Sequence, residues 1–243
     1  MEIKKLTVGV LPAAKVFALS SEWGKIADAL RLRMADKPIR NPEFFKMVAH
    51  NSAPGGGIRL SNDDSGASLI VTPEAITFTK ERYASNAGVN VDKLLEEFQT
   101  CWDAISSVVK IGPVRRLGLV AEHRVSNQHP SDLLLRTVTK VGDIQQCAKF
   151  SLQFENHLPT IGMAAPDIES ADFINVIQQF YDSALDIEES EDHAVNANVD
   201  VQRYFMPHLT EGIRDGLKQL RKDFDKHRQE FLKNCVRLGV LVQ

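Results

Sequence analysis

The residues best suited by type to do chemistry are Glu122, His123 and Arg124, consecutive within VRRLGLVAEHRV at positions 114–125. An acid beside an imidazole is raw material for proton transfer only if the two side chains meet. The surrounding residues read as a strand, in which Leu117, Leu119, Ala121, His123 and Val125 share one face. Arg116, Gly118, Val120, Glu122 and Arg124 share the other, so Glu122 points away from His123. Glu122 and Arg124 can pair along one face, but an exposed pair contributes only about 0–1 kcal/mol. A structural or partner-facing role for Arg116, Glu122 and Arg124 is therefore expected, and no catalytic residue is assigned.

Other stretches invite functional readings and fall short of them. Gly55-Gly-Gly57 resembles a phosphate loop, but Ile58-Arg-Leu60 follows it instead of the Gly-Lys-Ser/Thr that opens a helix. The acidic run Asp186–Asp192 with His193 lacks the ligand order and the turn glycine of a calcium loop. It reads as a solvated hairpin tip. There is no HExxH and no GxSxG, and the three cysteines, Cys101, Cys147 and Cys235, form no CxxC pair. No metal and no cofactor is expected from these patterns.

The last helix, expected from about Glu211 to Arg237, carries two kinds of candidate. Ile213, Leu217, Leu220, Phe224, His227 and Phe231 step by alternating fours and threes, an apolar seam for a sheet or for a second protomer. Leu217, Leu220, Phe224, His227 and Phe231 are thus candidate partner-binding residues. Lys218, Arg221, Lys222 and Arg228 offer an alternative, contact with nucleic acid.

The elements that must position these residues follow from periodicity. Leu6–Leu11 reads as a strand, and Trp23, Ile26, Ala27, Leu30 and Met34 as a helical stripe. Phe44–Ala49 looks like a strand. Ser68–Val71 and Ala75–Thr79, rich in β-branched residues around Thr72-Pro-Glu74, suggest an antiparallel meander. Val91, Leu94, Leu95, Phe98, Trp102, Ile105 and Val109 mark a long helix, stopped at Gly112-Pro113. The polar Ser126–Ser131 is the best boundary between two subdomains, residues 1–128 and 129–243, with little signal of order beyond it up to Gly142. Cys147–Phe154 alternates cleanly, Asp172–Asp186 leans towards strand over helix, and Ala194–Phe205 again has period two. The expected class is α+β, two antiparallel-sheet subdomains each packed against long amphipathic helices.

In element order and motifs the chain resembles a sporadically distributed prokaryotic family of unknown function. The resemblance rests on LIVTPEAITF, on VRRLGLVAEHRV and on NVDVQRYF before the terminal helix. Arg116-Leu-Gly-Leu119 matches that family's strand motif. Asn198-Val-Asp-Val201 matches its late Asp-hydrophobic-Asp-hydrophobic strand in part, with Asn in place of the leading acid. The resemblance implies an α+β protein with the patchy distribution of defence or mobile-element genes, and it carries no catalytic residues.

Bulk properties narrow the class further. A chain of 243 residues with 43% hydrophobic and 25% charged residues has the composition of a globular protein with an adequate core. The net charge of −3 argues against whole-molecule attraction to polyanions. Residues 1–126 hold 17 Lys/Arg against 14 Asp/Glu, and the remainder 12 against 18, an asymmetry that favours docking of the halves. Odd, scattered cysteines and the absence of a signal-like or spanning apolar run point to the cytoplasm, away from the membrane. Together these features suggest a non-enzymatic cytosolic interaction protein, expected to be a homodimer with protein partners. It is expected to be an accessory, regulatory or antitoxin-like component of a prokaryotic defence-type system. The alternatives are a hydrolase or nuclease whose site is assembled from distant residues, and a nucleic-acid-binding protein using the C-terminal helix.

Overall fold

In the strand β1 (Ile3–Pro12), Leu6, Val8 and Val10 are buried on one side, while Lys5, Thr7 and Gly9 lie half-buried on the other. This description rests on a computed structural model that describes residues 3–35, 44–51, 53, 56–81, 89–138, 147, 149–160, 171–183 and 193–240. The same alternation continues through the neighbouring strands. Helices α1 (Ala18–Ser21) and α2 (Trp23–Ala35) follow β1, and then the meander β2 (Met47–His50), β3 (Ile58–Asn62), β4 (Ala67–Val71) and β5 (Ile76–Glu81). Helix α3 (Val91–Val108) begins at Asn90, whose side chain accepts a bond from the Lys93 amide, a cap of the usual kind. It leads to β6 (Val114–Ser126), α4 (Pro130–Val138), β7 (Ser151–Pro159), β8 (Phe173–Asp182), β9 (Ala194–Leu209) and α5 (Arg214–Arg237).

The strands form one antiparallel sheet in the order β2-β3-β4-β5-β1-β6-β9-β8-β7. The class is mixed α+β. The two separate sheets expected from the sequence are instead joined where β1 pairs with β6, with Leu6 opposite Ala121, Gly9 opposite Gly118 and Lys5 opposite Glu122. Each half of the chain repeats one plan: a central strand, a helical segment, a meander and a long helix. The lateral order β3-β4-β5-β1 is mirrored by β7-β8-β9-β6, the arrangement a two-fold axis through the β1–β6 pairing would generate.

The named helix contacts all reach one side of this sheet. Phe231 of α5 lies 5.3 Å from the His123 ring and 5.5 Å from Phe180. Glu97 of α3 pairs with Lys80 at 3.3 Å, Trp23 of α2 stacks on His50 at 4.7 Å, and Ser131 of α4 donates to Asp182 at 2.6 Å. The apolar seam of α5 is therefore covered by the chain's own sheet: Ile213, Leu220, Phe224 and Phe231 are wholly buried, and Leu217 and His227 nearly so.

Three local expectations need correction. Helix α4 lies where weak order was read, with Pro130 at its first residue, a position that tolerates proline because the first amides of a helix have no partner within it. The strand expected over Phe44–Ala49 is Met47–His50, while Phe44 and Phe45 turn into the core in an edge-to-face pair. The terminal helix starts at Arg214. The leaning of 172–186 towards strand agrees with β8 over Phe173–Asp182, and residues 184–186 lie outside the described residues. The acidic run Asp186–Asp192 and Gly55 lie outside the described residues.

Candidate ligand interface on the open face of the sheet

Side chains on the opposite side of the sheet are mostly hydroxyl, amide and charged groups. One register row crosses eight strands: Arg59, Ile70, Thr77, Gly9, Gly118, Gln202, Asn175 and His157. Seven inter-strand spacings make this row about 34 Å wide.

At its centre the paired glycines leave a depression of about 160 Å³. Thr7 and Thr77 border it on the β1–β5 side, and Arg116, Asp200 and Gln202 on the β6–β9 side. The second wall is a connected network. Arg116 Nη1 donates to Gln202 Oε1 and to the Tyr204 hydroxyl, each at 3.2 Å. Gln202 Nε2 donates to Asp200 Oδ2 at 2.6 Å. The Arg116 guanidinium lies 5.6 Å from the Tyr204 ring, which stacks on Phe173 at 4.4 Å. Asp200 Oδ1 is buried with no hydrogen-bond partner. Burial pushes the Asp200 carboxyl above its ordinary pKa, opposed by the Gln202 bond and by Arg116. The equivalent positions of the first wall carry only Thr, Gly and Ala, so the pocket is chemically one-sided.

The residues singled out in the sequence fall into three groups. Arg116, Glu122 and Arg124 do lie on the open face. Glu122 binds Lys5 at 3.1 Å; burial works to lower the Lys5 pKa, and the Glu122 carboxylate outweighs it, holding the amine above its usual value. His123 faces the core, as its place in the alternation predicts, with Nδ1 bonded to the Ala197 carbonyl at 3.2 Å. It does not converge with Glu122 on a common site.

Leu217, Leu220, Phe224, His227 and Phe231 are interior and present no partner surface, because the spacing of a stripe does not identify what covers it. On the outer side of α5, Lys218 pairs with Asp215 at 2.8 Å, and Arg221 pairs with Asp92 at 2.7 Å and with Asp225. At least two of the four helix cations are thus neutralised locally.

Asp200, Gln202 and Tyr204 were not singled out in the sequence. Their only signal there was the period-two pattern of NVDVQRYF. Gly57 owes its identity to the fold: an added Cβ would lie 2.0 Å from the Val71 carbonyl oxygen, so close backbone packing explains it without a phosphate. Among the described residues no group of three or more His, Cys, Asp or Glu could hold a metal ion. No described helix is long and apolar enough to cross a membrane.

No protein-family model matches the chain, and no curated protein does. A solved structure to which the chain is similar is a rolling circle replication initiator protein from Geobacillus stearothermophilus. The match has 10% identity and a TM-score of 0.31, and covers 91% of this chain and 78% of that one. The expectation of a non-enzymatic, antitoxin-like accessory protein is corrected on the structure itself: the apolar seam behind that expectation is consumed within the chain.

Proposed function

We propose that this chain is a nucleic-acid-binding protein whose interface is the open face of the sheet rather than the terminal helix. The observation that carries the reading is the register row crossing eight strands on the face opposite the helices, with Arg59 towards one end, His157 at the other and Arg116 beside its centre. Sheets read nucleic acid by laying strands against a groove or against splayed bases. Amide and hydroxyl groups at base edges supply discrimination, and arginines at the phosphates supply register. Asn198, Gln202, Thr7, Thr77 and Arg116 provide both kinds of group on adjacent strands. In this reading the two subdomains inferred from the sequence, 1–128 and 129–243, contribute two wings of one surface.

The test is fluorescence anisotropy with labelled single-stranded and duplex oligonucleotides across a salt series. Binding should weaken as salt rises. Arg116→Ala and Arg59→Ala should each lower affinity severalfold and reduce the salt slope by about 1. Lys218→Ala and Lys222→Ala should leave affinity unchanged. Binding that is absent, or lost only in the helix variants, would overturn the proposal.

A further inference from the structure

Strands rarely carry glycine in their interiors unless a bulge or a close approach demands it. Gly9 and Gly118 sit in the two central strands and have no such demand from within the chain. Neither has a left-handed backbone, and a Cβ at either would come no closer than 3.7 Å to any residue beyond its chain neighbours. Both glycines weaken their strands, and together they keep the depression between them open. The unused hydrogen-bonding capacity is concentrated at the same point. Asp200 Oδ1 is a buried acceptor without a donor, which is unfavourable while it persists. Gln202 already has its amide committed to Asp200 and its oxygen to Arg116, so it holds the carboxylate in place and leaves Oδ1 for an incoming group.

The volume of about 160 Å³ falls below the few hundred Å³ of pockets that enclose whole drug-sized ligands. It suits one planar ring system lying flat against the two strands. Building on the nucleic-acid reading above, we infer that the depression receives a single unpaired nucleobase bearing an exocyclic amino group. That amino group donates to Asp200 Oδ1, the ring lies on the Gly9–Gly118 peptides, and Arg116 remains at the rim for the ring's acceptor atoms. Carboxylates recognise the cytosine amino group in this way, and arginine takes base carbonyls and ring nitrogens. Thymine and uracil carry no amino group and are disfavoured.

The experiment compares binding of oligo-dC and oligo-dT to the full chain and to Gly118→Ala, Gly9→Ala and Asp200→Asn. Circular dichroism and thermal unfolding establish that each variant is folded. The wild type should prefer oligo-dC by about tenfold. Gly118→Ala should lose that preference while unfolding no earlier than the wild type, and Asp200→Asn should lose it without filling the cavity. Equal binding of the two oligonucleotides by the wild type, or a preference that survives Gly118→Ala, would overturn the pocket and leave the interface reading standing. Failure to bind either oligonucleotide would overturn the pocket, and failure to bind duplex as well would overturn both.

Discussion

Gly9 and Gly118 lie directly opposite one another across the antiparallel β1–β6 pairing at the middle of the sheet. Beyond the chain neighbours, the nearest atoms to an added Cβ are Thr77 Oγ1 at 3.7 Å for Gly9 and Gln202 Cγ at 3.8 Å for Gly118, both ordinary contacts. Alanine at either site should therefore stabilise the fold by about 0.5–1 kcal/mol, since glycine loses more backbone freedom on folding. For a chain of this size that corresponds to a rise of about 1–4 °C in Tm. Scanning calorimetry checks it, and a lowered Tm would show that the fold itself requires glycine there.

His123 should govern the acid limb of the stability curve. Burial drives its pKa down to about 4; the Ala197 carbonyl opposes the shift and the Arg228 charge adds to it. The folded protein therefore holds the imidazole neutral while the unfolded chain takes up a proton below about pH 6.5. Stability from this group is complete above pH 6.5 and falls as pH drops towards 4, by about 3 kcal/mol in all. Urea denaturation at several pH values should show that slope in the wild type. In His123→Leu the part of the slope between pH 6.5 and 4 should be missing; an unchanged slope would contradict the assignment.

Arg203 is an interior cation on β9 that ties two segments together, pairing with Asp172 at 2.8 Å and Asp223 of α5 at 3.9 Å. Removing one partner of a buried pair leaves the remaining charge stranded and costs about 3–5 kcal/mol. Arg203→Ala should lower the unfolding free energy measured by denaturant titration by that amount. Asp223→Asn, which leaves Asp172 in place, should lower it less. Equal effects would mean that Asp223, not Asp172, is the principal counter-charge.

Phe231 joins α5 to the sheet through His123 and Phe180 and is wholly buried. Phe231→Ala should cost about 3–5 kcal/mol, because the surrounding core refills such a cavity only in part. Lys222→Ala on the same helix should change stability by less than about 0.5 kcal/mol. Chemical denaturation of the two variants separates the covered stripe from the solvated one.

The periodic elements were legible in the sequence because each satisfies its pattern locally. Helices α2, α3 and α5 and strands β4, β5, β6, β8 and β9 fall close to where the spacing places them. Helix α4 escaped because Leu133-Leu-Leu135 is a run without helical spacing and Pro130 looks like a break. The seam of α5 is legible as an apolar stripe that either the sheet or a second protomer could cover, because a stripe carries no record of its partner. The candidate site was least legible. Arg116 stood out as a charge in a strand, whereas Thr7, Thr77, Asp200 and Gln202 are ordinary alternating polar positions until lateral pairing assembles them. The two glycines are 109 positions apart, and only the register reveals that they are neighbours.

The central position of β1 constrains how the molecule is made. This strand, complete at Pro12, has β5 on one flank but gains its other neighbour only when β6, ending at Ser126, has been synthesised. β6 in turn waits for β9, which ends at Leu209. Throughout that interval the nascent chain presents an unpaired strand edge at what will become the middle of the sheet, the kind of surface that recruits chaperones or seeds aggregation. A ribosome paused between those two points would thus be holding the molecule at its most vulnerable stage.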